Sequence, residues 1–297
     1  MTTENFKSGF ISLLGKPNVG KSTLMNCLMK DRRFSIVTPK AQTTRHRIMG
    51  ILNGDNYQLV ISDTPGVIEP KYKLQESMMR FVNFSLEDAD LVLLMVEPGD
   101  ENLSPELETR ISRLKVPIFL IINKMDKGAS EEKVSACNSY WQNAAKPEQV
   151  FYISALENKG VDNLFEKVIE SAPVHPPYYE EDYISDRPER FFAAEMIREQ
   201  LFLQYKQEIP YSCEVHIDSF KDEAKILRIR AIIYTERPTQ KSIIIGKGGE
   251  ALKNVGIEAR KGLEEFFGKQ VFLETFVKVD SDWRNKDARL KNFGYQS

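Results

Sequence analysis

Residues Gly15 to Ser22 read GKPNVGKS and follow the apolar run FISLLG. The pattern G-x-x-x-x-G-K-[ST], set between a strand and a helix, lets backbone amides and a helix N-terminus face a phosphate group. It needs a strand ending at Gly15 and a turn whose backbone approaches closely at Gly15 and Gly20, where a Cβ would interfere. A helix must then start near Lys21. Lys16, Pro17, Asn18 and Val19 complete the loop, and the amides from Asn18 to Ser22, with Thr23 behind them, would point at the phosphates. Lys21 would reach the β- and γ-phosphates, and the Ser22 hydroxyl would ligate Mg²⁺.

The rest of the first half has the rhythm this loop demands. FISLLG, YQLVISD, LVLLMVE, VPIFLIIN and VFYISA are short and apolar, and they alternate with helical stretches such as SPELETRISRL and NLFEKVIESA. Ser104-Pro105-Glu106 opens one of these as a capping residue followed by proline at the first helical position. Strand–helix alternation implies a mostly parallel sheet covered on both faces. RIMGILNGDNYQLVIS differs, because Asn53-Gly54-Asp55-Asn56 is a hairpin signal, which adds one antiparallel edge strand. SAPVHPPYYEEDYISDRPER, with four prolines and no period, then breaks the rhythm and reads as a linker. The expected division is residues 1–172, a linker over 173–189, and a second domain over 190–297 that reads α-β-β-loop-α-β, with Ile243–Ile245 ending a strand.

Three further segments follow the phosphate loop in order. Asp63-Thr64-Pro65-Gly66 comes after YQLVIS, at the carboxyl edge where open α/β sheets bind ligands. Asp63 suits a role at Mg²⁺, held through the ion's other ligands, and the Gly66 amide suits contact with a γ-phosphate. Asn123-Lys124-Met125-Asp126 ends VPIFLII, where a carboxylate can accept from guanine N1–H and N2–H₂, donors that adenine does not offer there. Ser154-Ala155-Leu156 ends VFYIS and can set a backbone amide against guanine O6. Together they specify a guanine nucleotide, GTP or GDP.

Other chemistries find little support. Cys27, Cys137 and Cys213 are far apart and there are three histidines, so free thiols in a reducing cytoplasm are expected rather than zinc or disulfides. No apolar run approaches the ~18 residues that span a bilayer, and MTTENFKSG does not read as a secretory signal. Net charge is −2, divided as 24 basic against 29 acidic residues over 1–200 and 17 against 14 over 201–297.

The positive excess gathers around one segment. Gly246-Lys247-Gly248-Gly249 precedes an amphipathic helical stretch, and residues 241–261 hold five basic residues against two acidic ones. A G-x-x-G loop lets a nucleic-acid backbone approach closely while Lys247 neutralises phosphate, and about four unpaired nucleotides can be held this way. Lys241 and Lys253 flank it, with Arg260 and Lys261 further along. The Ile-rich run, Val255, Ile257 and Leu263 are read as core. In the tail, Trp283, Phe293 and Tyr295 alternate with Arg284, Lys286, Arg289 and Lys291. They could stack RNA bases or dock on the second domain's core.

A chain with GKPNVGKS, AQTTRHR, DTPG, NKMD and SAL, then GKGG and a W-R-x-K-x-A-R-L tail, closely resembles the Era family of bacterial P-loop GTPases. The resemblance implies an α/β GTPase domain, with one antiparallel edge strand, plus an α+β type II KH domain. It also implies a GTP-hydrolysing switch with Mg²⁺, in which Lys21, Thr44 and Gly66 serve the reaction. AQTTRHR supplies the switch residues Gln42, Thr43, Thr44, Arg45 and His46. Thr44 is the choice for the threonine that caps Mg²⁺ in the GTP state, and Thr43 the alternative. Where Ras-type enzymes have a catalytic glutamine, this chain has Val67, so slow intrinsic hydrolysis is expected. Relatives with this replacement use K⁺ held by a phosphate-loop asparagine, and Asn18 stands there. The family's partners are the 16S rRNA 3′ end and the 30S subunit, whose maturation it serves. A cytoplasmic monomer is expected, with peripheral association at the inner face of the cell membrane as a family property. The alternative is a signalling or membrane-associated GTPase whose second domain binds protein.

Overall fold

The computed structural model describes residues 5–30 and 33–295, and these fall into two compact units. The tips of the amino-terminal and tail stretches read above, residues 1–4 and 296–297, lie outside them. The first unit comprises residues 5–30, 33–35, 44–70 and 78–186, and the second 36–43, 71–77 and 187–295.

The first unit is built on a six-stranded sheet. Its strands are β1 (Lys7–Gly15), β2 (Ile48–Gly54), β3 (Tyr57–Asp63), β4 (Leu91–Val96), β5 (Ile118–Ile122) and β6 (Gln149–Tyr152), in the order β2-β3-β1-β4-β5-β6. Every pairing is parallel except β2 with β3, so the hairpin at residues 53–56 forms the antiparallel edge. All residues of β4 and β5 are buried, as strands covered on both faces must be. The helices are α1 (Lys21–Leu28), α2 (Lys73–Glu87), α3 (Pro105–Ile111), α4 (Glu131–Ala145) and α5 (Val161–Ser171). Ser104 caps α3 by accepting from Leu107 N–H at 3.4 Å, with proline at the first helical position.

Residues 173–186, within the stretch read as a linker, run in order against this sheet. Gln58, fully buried, accepts on Oε1 from the amides of Tyr178 (2.7 Å) and Tyr179 (2.9 Å) and donates from Nε2 to the Tyr179 carbonyl (2.8 Å). Further on, Ile51 N–H donates to Ile184 O at 3.0 Å, Ser185 Oγ to Met49 O at 2.7 Å, and Met49 N–H to Asp186 Oδ1 at 3.2 Å.

The second unit contains α6 (Glu189–Gln204), a short α7 (Ile209–Ser212), β7 (Glu214–Asp222), β8 (Ile226–Thr235), α8 (Pro238–Ile245), α9 (Glu250–Phe267), β9 (Gln270–Val279) and α10 (Asp287–Asn292). The sheet order is β7-β8-β9, antiparallel then parallel. Ile197 and Leu201 of α6, Ile229 of β8, and Val255 and Leu263 of α9 meet in its core.

The expected strand at Ile243–Ile245 is a helix. Pro238 occupies its first position, and Gln240 Oε1 accepts from the amides of Glu236 and Arg237, each at 3.0 Å. Ile244 is buried while Ile243 is half exposed, so Ile243 is not core. Helical periodicity and the start signal override the β preference of three consecutive isoleucines. Apart from the short α7 and α10, the observed order is therefore α-β-β-α-α-β.

In this unit Lys40 donates its ammonium to the carbonyls of Phe202 and Tyr205 at the C-terminal end of α6, where the helix dipole favours a cation. Val37 N–H donates to Glu199 Oε1 at 3.2 Å, and Gln75 Nε2 to Gln42 Oε1 at 3.1 Å. The tail takes the docked alternative. Trp283 is fully buried and donates Nε1–H to Ser212 O at 3.0 Å, while Tyr295 donates its hydroxyl to Glu214 Oε2 at 2.7 Å. Arg284 pairs with Glu236 and Arg289 with Asp280, leaving their charge largely spent.

Candidate functional site

Four loops meet at the carboxyl edge of the six-stranded sheet. GKPNVGKS follows β1, DTPG starts at the last residue of β3, NKMD follows β5 and SAL follows β6. Gly20 has φ 105°, and a Cβ there would lie 2.2 Å from Asn123 Nδ2, so the phosphate loop can pass this close to Asn123 only with glycine at position 20. Gly66 approaches the loop as closely. A Cβ on it would come within 2.5 Å of the Pro17 nitrogen, while Val67 N–H donates to Gly15 O at 3.0 Å.

On the phosphate side Lys21 is buried and donates to the carbonyls of Gly15 (3.1 Å) and Lys16 (2.9 Å). Burial lowers its pKa to about 8, against the opposing pull of Asp63. Ser22 Oγ donates to Asp63 Oδ2 at 2.7 Å and lies 2.8 Å from Thr44 Oγ1. Thr43 points elsewhere, its hydroxyl 2.6 Å from that of Thr38 and donating to Lys40 O at 2.8 Å. Of the two threonines, the geometry brings only Thr44 to Ser22. Burial raises the Asp63 carboxyl above its ordinary pKa, opposed by the Ser22 hydroxyl and the Lys21 ammonium. Asp63 Oδ1 and the Ser35 hydroxyl are buried without a hydrogen bond of good geometry. An unpartnered carboxylate oxygen beside two hydroxyls is an all-oxygen donor set, which fits Mg²⁺. Among the described residues no group of three His, Cys, Asp or Glu side chains offers a rival metal site.

On the base side Asn123 is buried. Its Nδ2 donates to Val19 O at 2.9 Å and its Oδ1 accepts from Ala155 N–H at 3.0 Å, so of the segment expected to set a backbone amide against guanine, the Ala155 amide is engaged by Asn123. Asp126 Oδ1 accepts from the Ser154 hydroxyl at 2.6 Å, which orients the carboxylate. Leu156 beside them is exposed. Asn18 has φ 64° and is exposed on the loop, and Arg45 and His46 are buried.

Sequence reasoning missed Glu97 and Asp100, in the loop after β4. Glu97 Oε2 lies 2.8 Å from Lys124 Nζ and Asp100 Oδ1 lies 2.6 Å from Lys16 Nζ. The available signal was position, since LVLLMVE ends at the same sheet edge as the other loops.

In the second unit GKGG joins α8 to α9. Gly246 has φ 71° and its Cβ would come within 2.6 Å of Ala251 Cβ, whereas nothing lies within 4 Å of a Cβ on Gly248 or Gly249. The loop is thus tight toward α9 and open outward. Lys247, Lys253 and Arg260 are exposed, and among the described residues these three and Lys241 form no ion pair. Lys261 is paired with Glu258 at 2.7 Å. Val255 and Leu263 are core as expected, and Ile257 is partly exposed.

Two protein families match this arrangement. One described as 50S ribosome-binding GTPase covers residues 10–124, and the KH domain family covers residues 208–284. GTPase Era of Thermoanaerobacter sp. (strain X514) is 42% identical over 294 residues, spanning 97% of this chain and 96% of its own. The chain belongs to the Era family of GTPases. GTPase Era of Lactobacillus helveticus is also 42% identical, over 99% of this chain and 98% of its own. A solved structure of Era in complex with MgGDPNP and nucleotides 1506–1542 of 16S ribosomal RNA is 37% identical, with a TM-score of 0.91, 98% of this chain and 99% of that one being covered. A tyrosine-to-alanine variant of Aquifex aeolicus Era bound to GDP·AlF4⁻ is 36% identical at the same TM-score and coverage. As an Era family member the chain is a GTPase with a KH domain. No helix among its described residues is long and apolar enough to cross a membrane.

Proposed function

We propose that this GTPase is a nucleotide-controlled switch that grips the 3′ end of 16S rRNA through its KH loop and acts in maturation of the small ribosomal subunit. The observation that carries this reading is the outward-open GKGG loop, whose Lys247 forms no ion pair among the described residues, in a chain similar over 98% of its length to an Era solved with a 16S fragment. The description "50S ribosome-binding" covers residues 10–124 and stops short of the KH domain, and a KH loop that favours single-stranded RNA supports the 16S reading.

Within the first unit, Lys21 and the amides of Asn18 to Ser22 would hold the phosphates. Ser22, Thr44 and Asp63 would hold Mg²⁺, which neutralises charge that develops on them. Asp126, oriented by Ser154, would select guanine. Val67, buried and apolar, cannot orient water, so hydrolysis is slow unless a partner or K⁺ at Asn18 supplies the missing charge.

Residues 36–43 group with the KH-bearing unit, with Lys40 on the end of α6, whereas Thr44 groups with the nucleotide-binding unit beside Ser22. This supports reciprocal linkage of nucleotide state and RNA affinity. Fluorescence anisotropy with a labelled RNA of the 16S 3′ end tests the whole reading. Binding that differs between the GDPNP and GDP forms and is lost in K247D/G248D is expected. Equal binding by both forms rules out the switch. Intact binding by the double variant returns the second unit to a protein-binding role.

A further inference from the structure

The loop after β4 touches both halves of the nucleotide site. Glu97, the first residue beyond that strand, pairs with Lys124 of the base loop, and Asp100 pairs with Lys16 of the phosphate loop, while a cavity of about 330 Å³ lies among Lys16, Pro17, Glu97 and Asp100. The loop itself is anchored on α4. Trp141, fully buried, donates Nε1–H to Asp100 O at 2.5 Å, and Leu103 N–H donates to the Tyr140 hydroxyl at 2.9 Å. The backbone that carries Asp100 is therefore held by the fold. Lys124 has a left-handed backbone, φ 65°, and its ammonium finds Glu97 at 2.8 Å, whereas Lys127 reaches the same oxygen only at 3.6 Å.

We propose that Glu97 is a positioning residue for the guanine nucleotide, holding the four-carbon stem of Lys124 against the base and ribose. The proposal rests on the nucleotide-site reading above. Its physical basis is rotamer entropy. A lysine pinned at its head has already lost freedom that a bound nucleotide would otherwise have to remove. Without Glu97 the stem is released and the nucleotide leaves faster. The pair is partly exposed, 21% for Lys124 and 39% for Glu97, so the effect is a modest one, about three- to five-fold.

A double-mutant cycle on the full-length chain tests this, read by dissociation of mant-labelled GDP from wild type, E97Q, K124M and E97Q/K124M. E97Q is expected to release mant-GDP about three- to five-fold faster and to raise KM for GTP with little change in kcat. In the K124M background the same substitution is expected to change the rate by less than about half of that factor. E97A gives a second route to the same comparison, and thermal melting of each variant without nucleotide verifies the fold. A wild-type rate in E97Q, or a factor that carries undiminished into K124M, overturns the proposal and makes Glu97 a loop-packing residue. If K124M itself leaves mant-GDP dissociation unchanged, the failure lies with the nucleotide-site reading.

Discussion

Asn123 donates from its carboxamide to the Val19 carbonyl at 2.9 Å. With its oxygen accepting from Ala155, one buried side chain fastens the loops that follow β1, β5 and β6. N123A would leave a buried carbonyl and a buried amide without partners, a cost of about 1–3 kcal/mol for each. GDP affinity is expected to fall at least tenfold, which titration of mant-GDP measures. An unchanged affinity would mean that the three loops are held by something else.

Asp126 gives a cleaner test because its contact is to the base. D126N keeps the volume and the Ser154 neighbour but presents an amide donor where guanine N1–H and N2–H₂ need acceptors. GTP affinity is expected to drop by a factor on the order of 10² or more, and xanthosine triphosphate, with a carbonyl at C2, to bind better than GTP. Competition between the two nucleotides decides it.

The pH dependence of binding follows from Lys21, lowered by burial to about 8 from an ordinary value of 10.5. Phosphates raise it again, so the bound pKa lies above the free one. Affinity for GDP is therefore full below about pH 8 and falls as pH rises above it, by up to about tenfold per unit. For the empty protein the sign is reversed. The unfolded chain binds more protons between about 8 and 10.5, and this group's contribution to stability rises with pH there. Calorimetry of GDP binding at pH 8.5 in two buffers of different ionisation enthalpy should register proton uptake, and none at all would refute this assignment.

Lys247 is exposed and forms no ion pair among the described residues, so in the RNA complex it would act mainly as a phosphate charge. K247A is expected to weaken RNA binding and to flatten the plot of log affinity against log salt by about 0.7. A slope equal to that of wild type would take Lys247 away from the backbone.

The tail yields a stability prediction. Trp283 is fully buried, is hydrogen-bonded to Ser212, and stacks edge-on with Phe293 at 5.5 Å. W283A is expected to destabilise the second unit by about 3–5 kcal/mol. A denaturation series on the full chain should show this as a lowered midpoint, and an effect near zero would mean that the tail is not packed as described.

The phosphate loop, the hairpin at 53–56 and the ends of β3, β5 and β6 were legible because each is a local signal set at a strand end. The GKGG loop was legible as well, but its leading helix was not. Three isoleucines in a row look like a buried strand, and only the buried face around Ile244 shows otherwise. Glu97 and Gln58 lay beyond reach for one reason. Each is defined by a partner distant in the chain: Lys124 or Tyr178. The tail stayed open between stacking on RNA and docking, since Glu236 and Asp280 neutralise Arg284 and Arg289 from positions no local pattern reveals.

The path of residues 178–186 bears on assembly. β2 is the outermost strand of its sheet, and such a strand presents unpaired amides and carbonyls that invite another chain to add itself. Here the outward amides of Met49 and Ile51 are already taken by Asp186 and Ile184, and the Met49 carbonyl by Ser185. The chain templates its own border, so strand exchange between copies along β2 would first have to displace a segment fastened by Gln58.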